Sequence, residues 1–94
     1  MAIDEDPEEH EIEAFAAILP SFASRRVLEI GCGDGRLTRR YAHVAESVIA
    51  IDPDAEAIAE LVAALPNVDA RAMGVDELRL PSHSVDVVLF AWSL

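Results

Sequence analysis

Lysine is absent from this 94-residue sequence, and cysteine and tryptophan each occur once. The lone thiol, Cys32, forms no intramolecular bridge, and no second thiol or paired histidine spacing exists to build a tetrahedral zinc site. Disulfide scaffolds and zinc modules are thereby excluded, and no metal is expected. No apolar run approaches the roughly 18 to 20 residues needed to span a bilayer, and the acidic N-terminus lacks the cationic and apolar regions of a signal peptide. The expectation is a soluble, cytoplasmic protein with no membrane partner. Positive charge is also scarce: seven arginines face 18 acids, for a formal charge of −11. A field of that sign repels a phosphate backbone, so nucleic acid is not expected as the main partner.

What is present is a 52% hydrophobic chain long enough for one compact domain. Seven of the acids fall between Asp4 and Glu13. There Asp6 supplies an N-cap acceptor and Pro7 a first helical residue, and Ile12, Phe15, Ala16 and Leu19 follow at i, i+3, i+4 and i+7. This spacing predicts an acidic amphipathic helix, ending near Pro20, within an N-terminal segment of residues 1–24. A tail that binds a partner and a halophilic surface are the alternative readings of the same charge run.

From residue 25 the pattern changes. Arg26 to Ile30 is a short apolar run stopped by Gly31, as for a buried parallel strand. Leu37, Tyr41 and Val44 then share a helical face, Ser47 to Ile51 forms a second strand, and Asp54 caps a helix carrying Ile58, Leu61, Val62 and Leu65 on one side. Val68 to Met73 reads as a third strand, 74–84 as a connector with room for a single helical turn, and Val85 to Trp92 as the most hydrophobic strand. Strands alternating with helices imply right-handed βαβ units and a parallel sheet. The expected fold is α/β: a Rossmann-like doubly wound sheet, incomplete at about four strands with flanking helices. Ligands of such sheets sit at the carboxyl ends of the strands, where the strand order reverses.

The informative stretch is Glu29-Ile30-Gly31-Cys32-Gly33-Asp34-Gly35, with glycines at alternate positions directly after the first strand. Missing β-carbons permit a sharp turn and close approach of a ligand. The dinucleotide fingerprint G-x-G-x-x-G would need glycine at 36, where this chain has Arg36. That moves the reading away from a pyrophosphate ligand seated on a helix N-terminus. Asp52, at the end of the second strand and so one strand–helix–strand unit beyond Gly31, is placed to accept hydrogen bonds from ribose hydroxyls. Its alternative role is a turn residue before Pro53.

These residues resemble the class I S-adenosylmethionine-dependent methyltransferases. Val27 to Gly35 is similar to the family's first motif, Ala50-Ile51-Asp52-Pro53 to its second, and Val85 to Leu89 to the strand carrying its fourth; the likeness covers about residues 25–94. Within the class, Gly35-Arg36-Leu37-Thr38 and the short connector look most like the enzymes of small-molecule substrates. The resemblance implies S-adenosyl-L-methionine as cofactor. Glu29 would orient the loop and the methionine end, the turn of Gly31, Cys32, Gly33 and Gly35 would pack on the cofactor, and Asp52, followed by Pro53, would hold the ribose. Many relatives carry Gly-Asp-Ala-Glu-x-Leu-Pro before the fourth strand, where this chain has Met73-Gly74-Val75-Asp76-Glu77-Leu78. Gly74 thus occupies the position of an adenine-binding aspartate, leaving the Val75 N–H and, after a loop shift, Asp76 as candidates; a solvated turn explains Asp76 and Glu77 equally well. The fourth strand runs into Ala91-Trp92-Ser93-Leu94, without the Asn/Asp-Pro-Pro-aromatic tetrapeptide of base-methylating enzymes. Trp92 reads as core before pocket.

Cys32 has no histidine partner and reads as filler in the turn in preference to a nucleophile. His10, His43 and His83 read as surface residues, and Asp34 as a helix cap. No catalytic base is identified. Two other functions remain open: an NAD-binding oxidoreductase fragment, disfavoured by Arg36, and a non-catalytic interaction domain. The last strand is apolar on both sides, yet the expected helices cover only one sheet face. The sequence therefore predicts a bare face and a bare fourth-strand edge, resolved either by self-association or by further chain of a longer protein.

Overall fold

A computed structural model describes residues 19–91. The acidic helix expected upstream and the expected position of Trp92 lie outside these residues. Leu19–Ser21 forms a 3-10 turn that leads into β1 (Arg26–Ile30). There follow α1 (Thr38–Tyr41), β2 (Ser47–Asp52), α2 (Ala55–Ala64), β3 (Asp69–Ala72), a 3-10 turn at Val75–Glu77 and β4 (Val87–Phe90).

The four strands make one parallel sheet in the order β3-β2-β1-β4. The chain builds outward from β1 through β2 to β3, then returns to place β4 on the other side of β1, so the order reverses at β1. The loop that leaves β1 is therefore the one at the switch point. At the opposite end of the sheet, Asp86 fixes the register of β4. Its carboxylate accepts from the Arg26 backbone N–H at 2.9 Å and from Nε and Nη2 of the Arg26 guanidinium at 3.1 and 3.0 Å. That fork holds the Asp86 carboxyl down at about 2.

The two sheet faces are covered differently. Val27, Val48 and Ala50 turn to the face packed by Phe22, Leu37, Tyr41, Ile58 and Leu61, which brings the 3-10 turn, α1 and α2 into one core. Leu28, Ile30 and Ile51 turn to the other face, where the connector supplies Met73, Leu78, Leu80 and Val85. The connector does not extend over β4. Val88 and Phe90, opposite Leu28 and Ile30 in register, remain 47% and 48% exposed. Among the described residues β4 pairs only with β1.

Three local expectations change. The helix after the glycines spans only Thr38–Tyr41. Gly31, Gly33 and Gly35 all sit at positive φ, 80°, 56° and 96°, which holds the chain in turns until Thr38. Asp34 is consequently not the cap of α1: Leu37 is the N-cap, without a side-chain hydrogen bond. Val62, expected on the packed side of α2, is 46% exposed, because the buried stripe of α2 is Ile58 and Leu61. The expected cap of α2 is present, with Asp54 accepting from the N–H groups of Glu56 and Ala57 at 3.1 and 3.2 Å.

Candidate functional site

Two acids stand at the carboxyl ends of neighbouring strands, Glu29 on β1 and Asp52 on β2. Because Glu29 is opposite Ala50, both side chains lie on the helix-covered face. Their surroundings differ. Glu29 is fully buried, and its Oε1 accepts from the hydroxyls of Thr38 at 2.7 Å and Tyr41 at 2.5 Å. Among the described residues, Oε2 is buried without a hydrogen-bond partner. Burial pushes the Glu29 carboxyl above its ordinary range, against the downward pull of the Tyr41 and Thr38 donors and of the Arg36 charge. The same burial, with the Glu29 carboxylate beside it, raises the Tyr41 phenol.

Asp52 is only half-buried, and among the described residues its carboxylate is held by main chain. Its Oδ2 accepts from the Gly33 N–H at 2.9 Å and its Oδ1 from the Asp54 N–H at 2.9 Å. The first bond joins the glycine loop to the end of β2, and the second closes a turn around Pro53. Two more bonds tie this seam, from the Gly31 and Cys32 N–H groups to the Ile51 carbonyl at 2.9 and 3.1 Å. Each carboxylate oxygen keeps a lone pair for a further donor.

Beside this seam lies a cleft of about 370 Å³. Ile30, Ile51, Met73 and Val75 give it apolar walls; Asp52, Pro53, Gly31 and Gly74 complete it. Of the residues singled out in the sequence, Gly31, Asp52, Pro53 and Val75 meet here. Gly33 adjoins through its bond to Asp52, and a β-carbon built on it would meet none of the described residues within 4 Å. The space above this glycine is therefore open to a ligand.

The remaining candidates lie elsewhere. Glu29 is beneath the loop, fastening α1 rather than lining the cleft. Gly35 faces α2, where an added β-carbon would fall 2.5 Å from Leu61 Cδ1. The Cys32 side chain is buried in the helix-side core, and burial raises its thiol to about 12, far from a reactive thiolate. Asp76 is exposed in the 3-10 turn outside the cleft. That turn is tied by Glu77, which accepts from the Gly74 N–H at 2.8 Å. Sequence reasoning missed Thr38 and Tyr41 as partners of Glu29. An acid within an apolar strand was their signal, since a buried carboxylate needs nearby donors. A larger cleft of about 420 Å³, lined by His43, Asn67 and neighbours, opens at the start of β2, the end of the sheet opposite the seam.

A parallel sheet that reverses at β1, a glycine loop at that point and an acid ending the next strand define the nucleotide-binding half of a Rossmann-like domain. The methyltransferase domain family matches residues 27–94, and the chain belongs to that family. An uncharacterised methyltransferase of Mycobacterium tuberculosis is 43% identical over 79 residues, covering 84% of this chain and 32% of that protein. A probable S-adenosylmethionine-dependent methyltransferase of the same organism is 40% identical over 75 residues, covering 80% and 27%. Among solved structures, phosphoethanolamine N-methyltransferase 1 of Haemonchus contortus, in complex with phosphoethanolamine and S-adenosylhomocysteine, superposes with a TM-score of 0.76 at 26% identity. That match covers 89% of this chain and 19% of the other. The chain spans about a third or less of the length of the relatives it matches. No helix of the described residues is long and apolar enough to cross a membrane.

Proposed function

We propose that residues 25–94 are the cofactor-binding half of an S-adenosyl-L-methionine-dependent methyltransferase acting on a small-molecule acceptor, with residues 1–24 an appended acidic segment. The observation that carries this reading is the Asp52–Gly33 bond at the mouth of the 370 Å³ cleft. It sets a carboxylate acceptor, an exposed glycine backbone and apolar walls around one space, which suits a ribose with a flat base beyond it.

The residues present fit that cofactor. Asp52 has lone pairs for the ribose hydroxyls. Ile51, Met73 and Val75 offer apolar contact to a base, and the Val75 N–H stands where Gly74 provides no side chain. Gly31 and Gly33 let the rest of the cofactor cross the loop at van der Waals contact. When bound, the cofactor supplies a methyl group on a positively charged sulfur, so the leaving group is already activated. The chain's part is then orientation, an effect worth up to roughly 7 to 11 kcal/mol when reacting atoms are held in a near-attack geometry. Thr38 and Tyr41 contribute indirectly, by fixing Glu29 and with it the helix behind the loop.

A small acceptor in place of nucleic acid is supported by the charge of −11 and by Ala91-Trp92-Ser93-Leu94 where base-methylating enzymes carry their tetrapeptide. A cytoplasmic setting fits the same composition. The half-exposed Val88 and Phe90 support self-association through this face or the β4 edge, and a monodisperse monomer at high concentration in sedimentation would remove that element. The test of the main reading is calorimetric titration with S-adenosylmethionine, S-adenosylhomocysteine and NAD. Binding of the first two, lost in Asp52→Ala, is expected. Preference for NAD would return the chain to the oxidoreductase reading. No binding by a folded sample would favour a non-catalytic interaction domain.

A further inference from the structure

Gly74 lines the cleft beside Asp52 with no side chain of its own, although its backbone does not demand glycine: φ is −87°. The glycine supplies room. A β-carbon built there would fall 2.8 Å from Asp76 Oδ1 and 3.7 Å from Glu77 Oε1, so the Asp76 carboxylate already takes up the space that a side chain at this position would need. The two acids of the turn are used differently. Glu77 is committed to the backbone, its Oε1 accepting from the Gly74 N–H at 2.8 Å. Arg79, the cation nearest in sequence, donates to the Asp76 and Leu78 carbonyls at 3.0 and 2.9 Å, so its hydrogen bonds go to main chain and not to the Asp76 carboxylate. Asp76 is not part of the cleft wall, but it stands against Gly74, which is, and follows Val75, whose half-exposed side chain borders the same space.

We propose that Asp76 selects the base of the cofactor, its carboxylate accepting from the 6-amino group of adenine across the gap left by Gly74. This rests on the cofactor reading, which sets the ribose at Asp52 and the base toward Met73, Gly74 and Val75. Adenine presents an acceptor ring nitrogen beside a donor amine, and the Val75 N–H and the Asp76 carboxylate offer the complementary donor and acceptor from adjacent residues. A 6-oxo purine reverses both groups. A carboxylate has no proton to give, so it repels the oxygen it would then meet. Apolar walls grip either base, which leaves the discrimination to these polar groups, and the carboxylate is the one that a side-chain change can remove.

The test measures, by calorimetry on the full chain, the affinities of S-adenosylhomocysteine and of S-inosylhomocysteine, its 6-oxo counterpart. The adenine compound is expected to bind roughly tenfold more tightly, or better. In Asp76→Asn the ratio should fall to within about threefold, because a carboxamide offers an oxygen to the amine or an N–H to the 6-oxygen. Gly74→Ala should lower the ratio as well, by pushing the Asp76 carboxylate aside at a backbone conformation that alanine adopts. It serves as the second variant should circular dichroism show the first to be unfolded. Equal affinities in the unaltered chain overturn the proposal, and so does a ratio that stays the same in a folded variant even when both ligands weaken, since that marks Asp76 as a support of the turn alone. If the chain binds neither compound, the cofactor reading fails and this proposal falls with it. If it binds both alike, the cofactor reading stands and only the proposal falls.

Discussion

Glu29 and Asp52 are both carboxylates at the carboxyl ends of adjacent strands on the same sheet face, and the protein uses them for opposite purposes. Glu29 is sealed under the glycine loop and answered by two side-chain hydroxyls. Asp52 is half-open and answered by two backbone N–H groups. Side-chain partners bring a helix with them, so Glu29 organises α1. Backbone partners leave the remaining lone pairs facing solvent, so Asp52 is free to receive a ligand. The position of an acid in a motif is thus not its role; its role follows from which donors the fold spends on it.

The sharpest way to break this contrast is to remove Glu29. Glu29→Ala orphans the Thr38 and Tyr41 hydroxyls, at roughly 1–3 kcal/mol each, and leaves a cavity. A loss of about 3–5 kcal/mol is expected in urea unfolding. Gly35→Ala comes next: at φ 96° with Leu61 Cδ1 2.5 Å from the new methyl, about 2–4 kcal/mol should be lost by the same measurement. Asp52→Ala should cost only about 1 kcal/mol of stability. It should nevertheless weaken S-adenosylhomocysteine at least tenfold by calorimetry, since an acceptor for the ribose is gone. A binding loss from Glu29→Gln as large as that from Asp52→Ala would break the contrast.

The smallest expected effect is in pH. A carboxyl whose folded pKa is raised adds stability below its unfolded value near 4.5, and that stability is lost as pH rises through the folded value. Glu29→Gln should remove this decline, leaving a flatter stability profile above about pH 5. Asp86 has the opposite sign: held at about 2, its contribution is present above its unfolded value and fades only as pH falls toward 2. Asp86→Asn should therefore alter the acid limb and leave the neutral region flat.

Much of this was legible in the sequence because its signals are local. Apolar runs ended by glycine or Asp-Pro marked β1 and β2, and Asp54 announced α2. Glycines at alternate positions, with an acid closing the next strand, marked the switch point and Asp52. What could not be read depends on tertiary context. The three left-handed glycines shorten α1 to a single turn, and only the folded sheet shows that Gly35 faces Leu61 while Gly33 faces open space. The partners of Glu29, Thr38 and Tyr41, lie on the far side of the glycine loop, at no spacing a motif records. Val62 joined the apolar side of α2 by periodicity, but in the folded chain the buried stripe of that helix is Ile58 and Leu61, and Val62 faces outward.

The most direct test of the Asp52–Gly33 seam as the ligand site is amide NMR of the full chain titrated with S-adenosylhomocysteine. The account predicts the largest shifts at Gly31, Gly33, Asp54, Gly74 and Val75. Shifts concentrated instead at His43, Ser47 and Asn67, around the larger cleft at the other end of the sheet, would contradict it.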